Sequence, residues 1–202
     1  NNQLTNYTVI TNNGTLTITA AALSVTADNQ SRAYGATNPV FTGTISGLVN
    51  GDGITASFST TADTSSPVDD YAIVASLNDP NNLLTNYSVT TNNGILTVTK
   101  AMLSVIADDQ TRIFSAADPA FTFHFEGFAN GEDSGVVSGN PSITTTATVN
   151  SAPGNYEIVP SLGTLSAANY DFSFTNGGLT ISAAGSRIQV ASSQNPTESG
   201  AE

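Results

Sequence analysis

The sequence predicts an all-β protein made of tandem antiparallel β-sandwich modules. First, apolar residues alternate with Ser and Thr at a period of two, which is typical of strands with one buried face. Second, the same motifs recur about 80 residues apart, as in a repeat array. Third, only 10% of the residues are charged, and Thr, Ser and Asn make up 73 of the 202. Such a composition suits short strands and polar turns better than a cytosolic enzyme.

The repeats divide the chain into four parts. Leu23–Val25 recurs as Leu103–Val105, and Asn50-Gly51 recurs as Asn130-Gly131. The first residues match the end of a repeat, so they are expected to be the C-terminal hairpin of an incomplete preceding repeat. The last residues are expected to be a tail or the first strand of a following Ig-like module. The four parts are residues 1–21, repeat one at 22–101, repeat two at 102–184, and 185–202.

Each repeat contains six or seven short alternating runs separated by Gly, Pro, Asn and Asp. In repeat one the last two runs carry Tyr87/Val89 and Leu96/Val98, with Asn-Gly between them. Asn-Gly between two alternating runs predicts a β-hairpin, because such turns need positive φ. Gly131–Val137 in repeat two is expected to hold one helical turn.

A near-copy of that hairpin opens the chain. Its inward-facing residues are Tyr7, Val9, Leu16 and Ile18. An isolated hairpin is marginal in water, so residues 4–20 are expected to be disordered or to be completed by other strands. Two explanations remain open: truncation of a longer array, or strand donation to another copy. Donation would be heterologous and would join copies head to tail into a filament.

Charge and residue usage exclude several classes of function. The net charge of -12, with 16 acidic and 4 basic residues, argues against partners such as nucleic acid and anionic membranes. Cysteine is absent, which removes disulfides, thiolate metal sites and cysteine nucleophiles. No run approaches the ~18 apolar residues of a membrane helix, so no membrane insertion is expected in this segment.

Several spaced motifs resemble the MBG domains, the "mostly bacterial Ig-like" modules of the YGX type. Repeat one carries them at Arg32–Pro39, Ser46–Asp52, Asn86-Tyr87 and Gly94–Thr99. Repeat two carries them at Asp118-Pro119, Glu126–Gly131, Gly154–Tyr156, Asn169–Asp171 and Gly178–Ile181. Repeat two departs from the signature at Phe114-Ser115-Ala116, and so lacks the glycine that favours a positive-φ turn there.

The resemblance implies tandem Ig-like modules in large secreted or surface-anchored bacterial proteins, often adhesin-like, with no enzyme activity and no catalytic residues. Two functions follow as alternatives. The modules are either structural spacers in an extracellular or cell-surface fibre, with neighbouring modules as partners, or adhesive modules that bind glycan or protein through sandwich loops. We expect the modules to lie in series as a rod.

Candidate site residues are few. Calcium is the one cofactor weighed, because oxygen-rich loops at module junctions can bind it, but turn formation is the preferred explanation of these acids. The candidate calcium ligands are Asp28, Asp52, Asp108, Asp109 and Asp133. His124, the only histidine, is expected to face solvent with Thr122 and Glu126. Arg32 and Arg112 occupy equivalent positions and are expected to have a structural role, as an ion pair or bidentate hydrogen bond.

Overall fold

The structure, a computed structural model, describes residues 3–185. It divides into two compact units, the first ending at Lys100 and the second beginning at Ala101. Regular structure in the described residues is almost entirely β strand, which confirms the predicted all-β class. Short 3-10 turns lie at Gln3–Asn6, Leu84–Asn86 and Ser134–Val136, and the last of these is the predicted helical turn. The expected tail lies, from residue 186 onward, outside the described residues.

Repeat one is a sandwich of two sheets. Its seven strands are β1 (Ala21–Ala27), β2 (Gln30–Ala33), β3 (Gly43–Ser46), β4 (Thr55–Ser59), β5 (Asp70–Asn78), β6 (Tyr87–Asn92) and β7 (Gly94–Thr99). One sheet has the order β3-β1-β6, and the other has the order β2-β7-β5-β4. Alternation of apolar and polar residues places one face of each strand inward.

Repeat two has the same plan with an added two-stranded sheet. Its strands are β8 (Ala101–Ala107), β9 (Gln110–Ile113), β10 (Phe123–Glu126), β11 (Val137–Ser138), β12 (Ser142–Thr145), β13 (Gly154–Ser161), β14 (Ser166–Ala167), β15 (Tyr170–Thr175) and β16 (Gly177–Ser182). The sheets have the orders β10-β8-β15, β12-β13-β16-β9 and β11-β14.

Equivalent side chains form the core of each sandwich. In repeat one the residues with at most 1% exposure are Leu23, Val25, Ile73, Leu96 and Val98. Their counterparts in repeat two, with at most 2% exposure, are Leu103, Val105, Ile158, Leu179 and Ile181. All of them are branched aliphatic residues on alternating strand positions, so burial of these side chains is the main stabilising contribution in both units.

The predicted hairpin between β6 and β7 is wrong. The two strands do not pair with each other: β6 pairs in parallel with β1, and β7 pairs in parallel with β2 and antiparallel with β5. The chain passes at Asn93 from one sheet to the other. Gly94 does not make a positive-φ turn there. It is needed for space, since a Cβ on it would lie 2.6 Å from the carbonyl oxygen of Asp28.

The first and last strand paths of a module therefore lie side by side and run in the same direction. Ala21 pairs with Tyr87 and Ala33 pairs with Thr99, so the offset is 66 residues at both ends of the pair. Repeat two shows the same arrangement with an offset of 69 residues, from the β8–β15 pair to the β9–β16 pair. The sandwiches are thus mixed rather than purely antiparallel.

Strand β5 shows that these paths span the module. Its Asp70 end pairs with Thr97 of β7. Toward its other end, Leu77 packs against Leu23 and Tyr87, at the beginning of the β1–β6 pair. The chain therefore enters repeat one at one end of β5 and leaves it at the opposite end.

Candidate functional site

Residues 3–20, predicted as an assembly hairpin, contain no strand. The side chains of Tyr7, Val9, Leu16 and Ile18 are 63–88% exposed. The physical reason follows from repeat one, where the equivalent strands are stabilised by β1, β2 and β5 and not by each other. Without such neighbours the segment has nothing to pair with, and its apolar side chains stay in solvent.

The two arginines have the structural role that the sequence predicted. Arg112 is 7% exposed, and its Nε donates to Asp118 Oδ1 at 2.6 Å as an ion pair. Its other nitrogens donate to the carbonyls of Ile113 at 3.3 Å and Thr148 at 2.6 Å. The guanidinium thus ties strand β9 to two loops.

Arg32 makes the same contacts with one change of chemistry. Its Nε donates to Asn38 Oδ1 at 2.6 Å, a neutral amide in place of a carboxylate. The remaining donors reach the carbonyls of Ala33, at 3.1 Å, and of Asp63. The partner in each repeat lies six residues after the arginine and just before a proline, a spacing that sequence reasoning missed.

A tyrosine near the start of β6 and β15 anchors a loop in each repeat. The hydroxyl of Tyr87 donates to Asp52 Oδ2 at 2.6 Å and accepts from the backbone nitrogen of Val49 at 3.1 Å. The hydrogen bond to the Asp52 carboxylate raises the pKa of Tyr87 above its ordinary value. In repeat two, Tyr170 bonds to Glu132 Oε2 at 2.5 Å. The sequence marked both tyrosines as inward-facing but gave no sign of their carboxylate partners.

The calcium candidates are engaged by their own surroundings. Asp28 accepts from the Thr42 hydroxyl at 2.7 Å, and Asp109 accepts from the Gly178 nitrogen at 2.7 Å. Asp133 caps the short turn that follows it by accepting from a backbone nitrogen at 2.8 Å. Within residues 3–185, no three His, Cys, Asp or Glu side chains form a group that could hold a metal ion. These contacts are those of turn-forming acids.

His124 faces solvent, as predicted, and forms an acidic cluster peculiar to repeat two. Its Nδ1 lies 2.6 Å from Asp108 Oδ1, and its Nε2 lies 3.9 Å from Glu126 Oε1. Hydrogen bonds from Thr122 and then His124 hold the pKa of the Asp108 carboxyl below its ordinary value. Thr44 occupies the place of this histidine in repeat one, so the module fold does not require it.

An aromatic cleft distinguishes repeat two from repeat one. Phe123, Phe125 and Phe128 are half-buried and line a cleft of about 390 Å³, together with His124 and Ser134. The rings meet edge to face, with centroids 5.4 Å apart for the first two and 5.7 Å for the second and third. Sequence reasoning favoured a core role for the second and third rings. The structure gives these rings a partly exposed position at edge strand β10.

The chain belongs to the MBG domain (YGX type) family, which matches residues 23–97 and 103–180. This confirms the resemblance drawn from the motifs. No curated protein matches the chain in a sequence search. Domains of this family are non-catalytic structural modules that occur in extracellular and surface proteins, and tandem copies indicate a surface or adhesin-like module. Over residues 3–185 the structure contains no helix long and apolar enough to cross a membrane.

Proposed function

We propose that these modules are load-bearing spacers in an extracellular or cell-surface fibre or adhesin of a bacterium. One observation carries the proposal. In each unit the first and last strand paths run parallel and side by side, in an unbroken register from Ala21↔Tyr87 to Ala33↔Thr99 in repeat one. A pull on the two ends of a module therefore acts along these strands and loads many backbone hydrogen bonds at the same time.

The duplicated internal contacts support the same function. The arginine anchor, the tyrosine–carboxylate anchor and the aliphatic core occur in both repeats. The polar cluster and the aromatic cleft, in contrast, occur in the sequence of repeat two alone. A spacer requires a repeated framework, whereas a binding site requires one copy. The link between the last strand of repeat one and the first of repeat two is the single residue Lys100, which leaves little slack for a hinge.

Single-molecule force spectroscopy tests the load-bearing role. The chain has no cysteine, so engineered cysteines provide unique attachment points. We expect a pull between the chain ends to require several-fold more force to unfold repeat one than a pull between cysteines at Ala33 and Thr99. The second geometry separates two paired residues and breaks the strand pair one bond at a time. Equal forces in the two geometries would contradict the proposal.

Small-angle scattering tests the proposed arrangement of the modules in series. Each repeat of about 80 residues is expected to span roughly 30–40 Å from compact-domain scaling. An extended particle about two modules long supports a rod, and a compact particle excludes it.

The aromatic cleft supports a second candidate, an adhesive module for glycan or protein. Aromatic rings with polar groups at their margin are a common lining of ligand pockets. A glycan array probed with the full chain tests this candidate. Phe128→Leu restores the residue type of repeat one, Leu48, so it is the matched variant. Adhesion through the cleft predicts binding to a defined glycan that this variant loses, whereas a pure spacer gives no binding with either chain.

A further inference from the structure

We propose that residues 4–19 are a second set of the strands β6 and β7, able to enter repeat one of another copy of this chain when that copy's own residues 84–99 are displaced. The partner is thus a second molecule of the same chain, and the contact is a two-strand addition that spans both sheets of the sandwich. This interaction is independent of the load-bearing role proposed above.

The sequence of the segment fits the place that it would occupy. Residues 4–20 differ from residues 84–100 at five of the seventeen positions. Four of the differences fall opposite residues 88, 90, 95 and 100, all of which are exposed in repeat one. The fifth places Ile18 at the buried position of Val98, and repeat two already carries isoleucine there, as Ile181. No difference introduces a polar side chain into the core.

The residues that make the contacts of β6 and β7 are kept. Tyr87 and Leu96 are 7% and 0% exposed in repeat one, whereas their copies Tyr7 and Leu16 are 73% and 87% exposed. Gly14 repeats the glycine that the approach to strand β1 requires at Gly94. The segment therefore has apolar surface to bury and the one glycine that the sheet crossing demands.

Geometry requires the acceptor to belong to a different molecule. If residues 7–19 took the place of residues 87–99, Thr19 would lie beside Ala33, at the exit end of the module. Ala21 must remain at the entry end, where β1 begins. The two ends are separated by at least the stretch of β5 from Asp70 to Leu77, about 23 Å at ~3.3 Å per residue. Ala20 alone, at most ~3.6 Å of reach per residue, cannot bridge that distance.

The same geometry explains why intact copies keep their own strands. Residues 84–99 are covalently joined to repeat one, so their effective concentration exceeds that of a segment on another molecule. Exchange becomes visible only when the resident strands are disabled. Because the donating and accepting surfaces differ, the contact is heterologous and continues from copy to copy.

Aspartate at two equivalent positions tests the inference in the full chain. Leu96→Asp disables the resident strand, and Leu16→Asp disables the donor. We expect the L96D chain to form concentration-dependent species of at least twice the chain mass of 20.6 kDa, with slow amide exchange retained in β1 and β2. The L16D/L96D chain should remain a monomer and lose that protection, and L16D alone should match the wild type.

A synthetic peptide of residues 4–20 provides the second measurement. Added to the L16D/L96D chain, it should restore amide protection in β1 and β2, and the same peptide with L16D should not. Two results would overturn the inference: association of the L96D chain that is unchanged by L16D, which is the mark of non-specific aggregation, or failure of the wild-type peptide to restore protection.

Discussion

Replacement of Arg112 by methionine removes the anchor of repeat two while keeping most of the apolar stem. The guanidinium donates to one carboxylate and two carbonyls, and its side chain is 3% exposed. Hydrogen bonds to charged groups contribute roughly 1.5–3 kcal/mol each, and breaking a fully buried ion pair costs roughly 3–5 kcal/mol. The Asp118 side chain is 28% exposed and can regain some water. We therefore expect Arg112→Met to lower the free energy of unfolding of repeat two by about 3 kcal/mol.

Repeat one supplies the matched comparison. Arg32→Met strands the neutral side chain of Asn38, which still donates to the carbonyl of Ala62 at 2.7 Å. The loss there should be smaller, about 2 kcal/mol, because no charge is left without its partner. In the R112M background, D118N should recover about 1 kcal/mol, since it removes the stranded carboxylate.

The measurement must separate the two units, because a two-domain chain does not unfold as a single two-state system. Amide hydrogen exchange under increasing urea does so, with Ile73 reporting on repeat one and Ile158 on repeat two; both are fully buried. The reasoning is refuted if R112M changes the stability at Ile158 by less than about 0.5 kcal/mol, the ordinary effect of a surface substitution. It is also refuted if D118N destabilises the R112M chain further.

Four further outcomes are expected. Leu96→Ala should lower the stability of repeat one by about 2–5 kcal/mol in urea unfolding, whereas Leu16→Ala should change it by less than about 0.5 kcal/mol. Ser115→Gly should stabilise repeat two by about 0.5–1 kcal/mol, because the serine holds a φ of 69°. Gly35→Ser, the reverse change at a φ of 78°, should destabilise repeat one in the same assay. The pKa of the Asp108 carboxyl is lowered from 3.8 in the folded chain, so its contribution to stability is present above that value and is lost as the pH falls through the folded pKa. An acid titration followed by circular dichroism should show a smaller loss for Asp108→Asn, and equal losses would contradict the assignment. Chelation should leave the melting temperature unchanged, and a fall of several degrees would instead reveal a cation bound to the native state.

Local periodicity explains why much of the fold could be predicted from the sequence. The alternation around Tyr87, Leu96 and Val98 identified buried positions correctly, because side chains on a strand alternate between faces whatever the strand pairs with. Pairing itself depends on distant residues. Parallel pairing of β6 with β1 joins positions 66 residues apart, and no local pattern distinguishes it from a hairpin.

The wrong hairpin shows how one dipeptide serves two physical demands. At Asn50-Gly51 both residues have positive φ, 59° and 72°, as the turn rule expects. At Asn93-Gly94 the backbone has ordinary φ, and the glycine is required because β1 passes too close for a side chain. The same two letters therefore predict a reversal of the chain in one place and a crossing between sheets in the other. Ser115 is the opposite case, a positive-φ turn kept without glycine.

The two repeats also show where a common framework permits variation. In repeat one, a side chain at Gly43 would collide with the ring of Phe58, which lies over it from β4. Repeat two has the bulk on the other strand: Phe123 takes the place of the glycine, and Ile143 takes the place of the β4 phenylalanine. The exchange moves an aromatic ring onto the edge strand β10. The parallel strand paths and the arginine and tyrosine anchors are untouched by it. A load-bearing framework and a surface that differs from module to module are therefore compatible in one chain, because they use different strands.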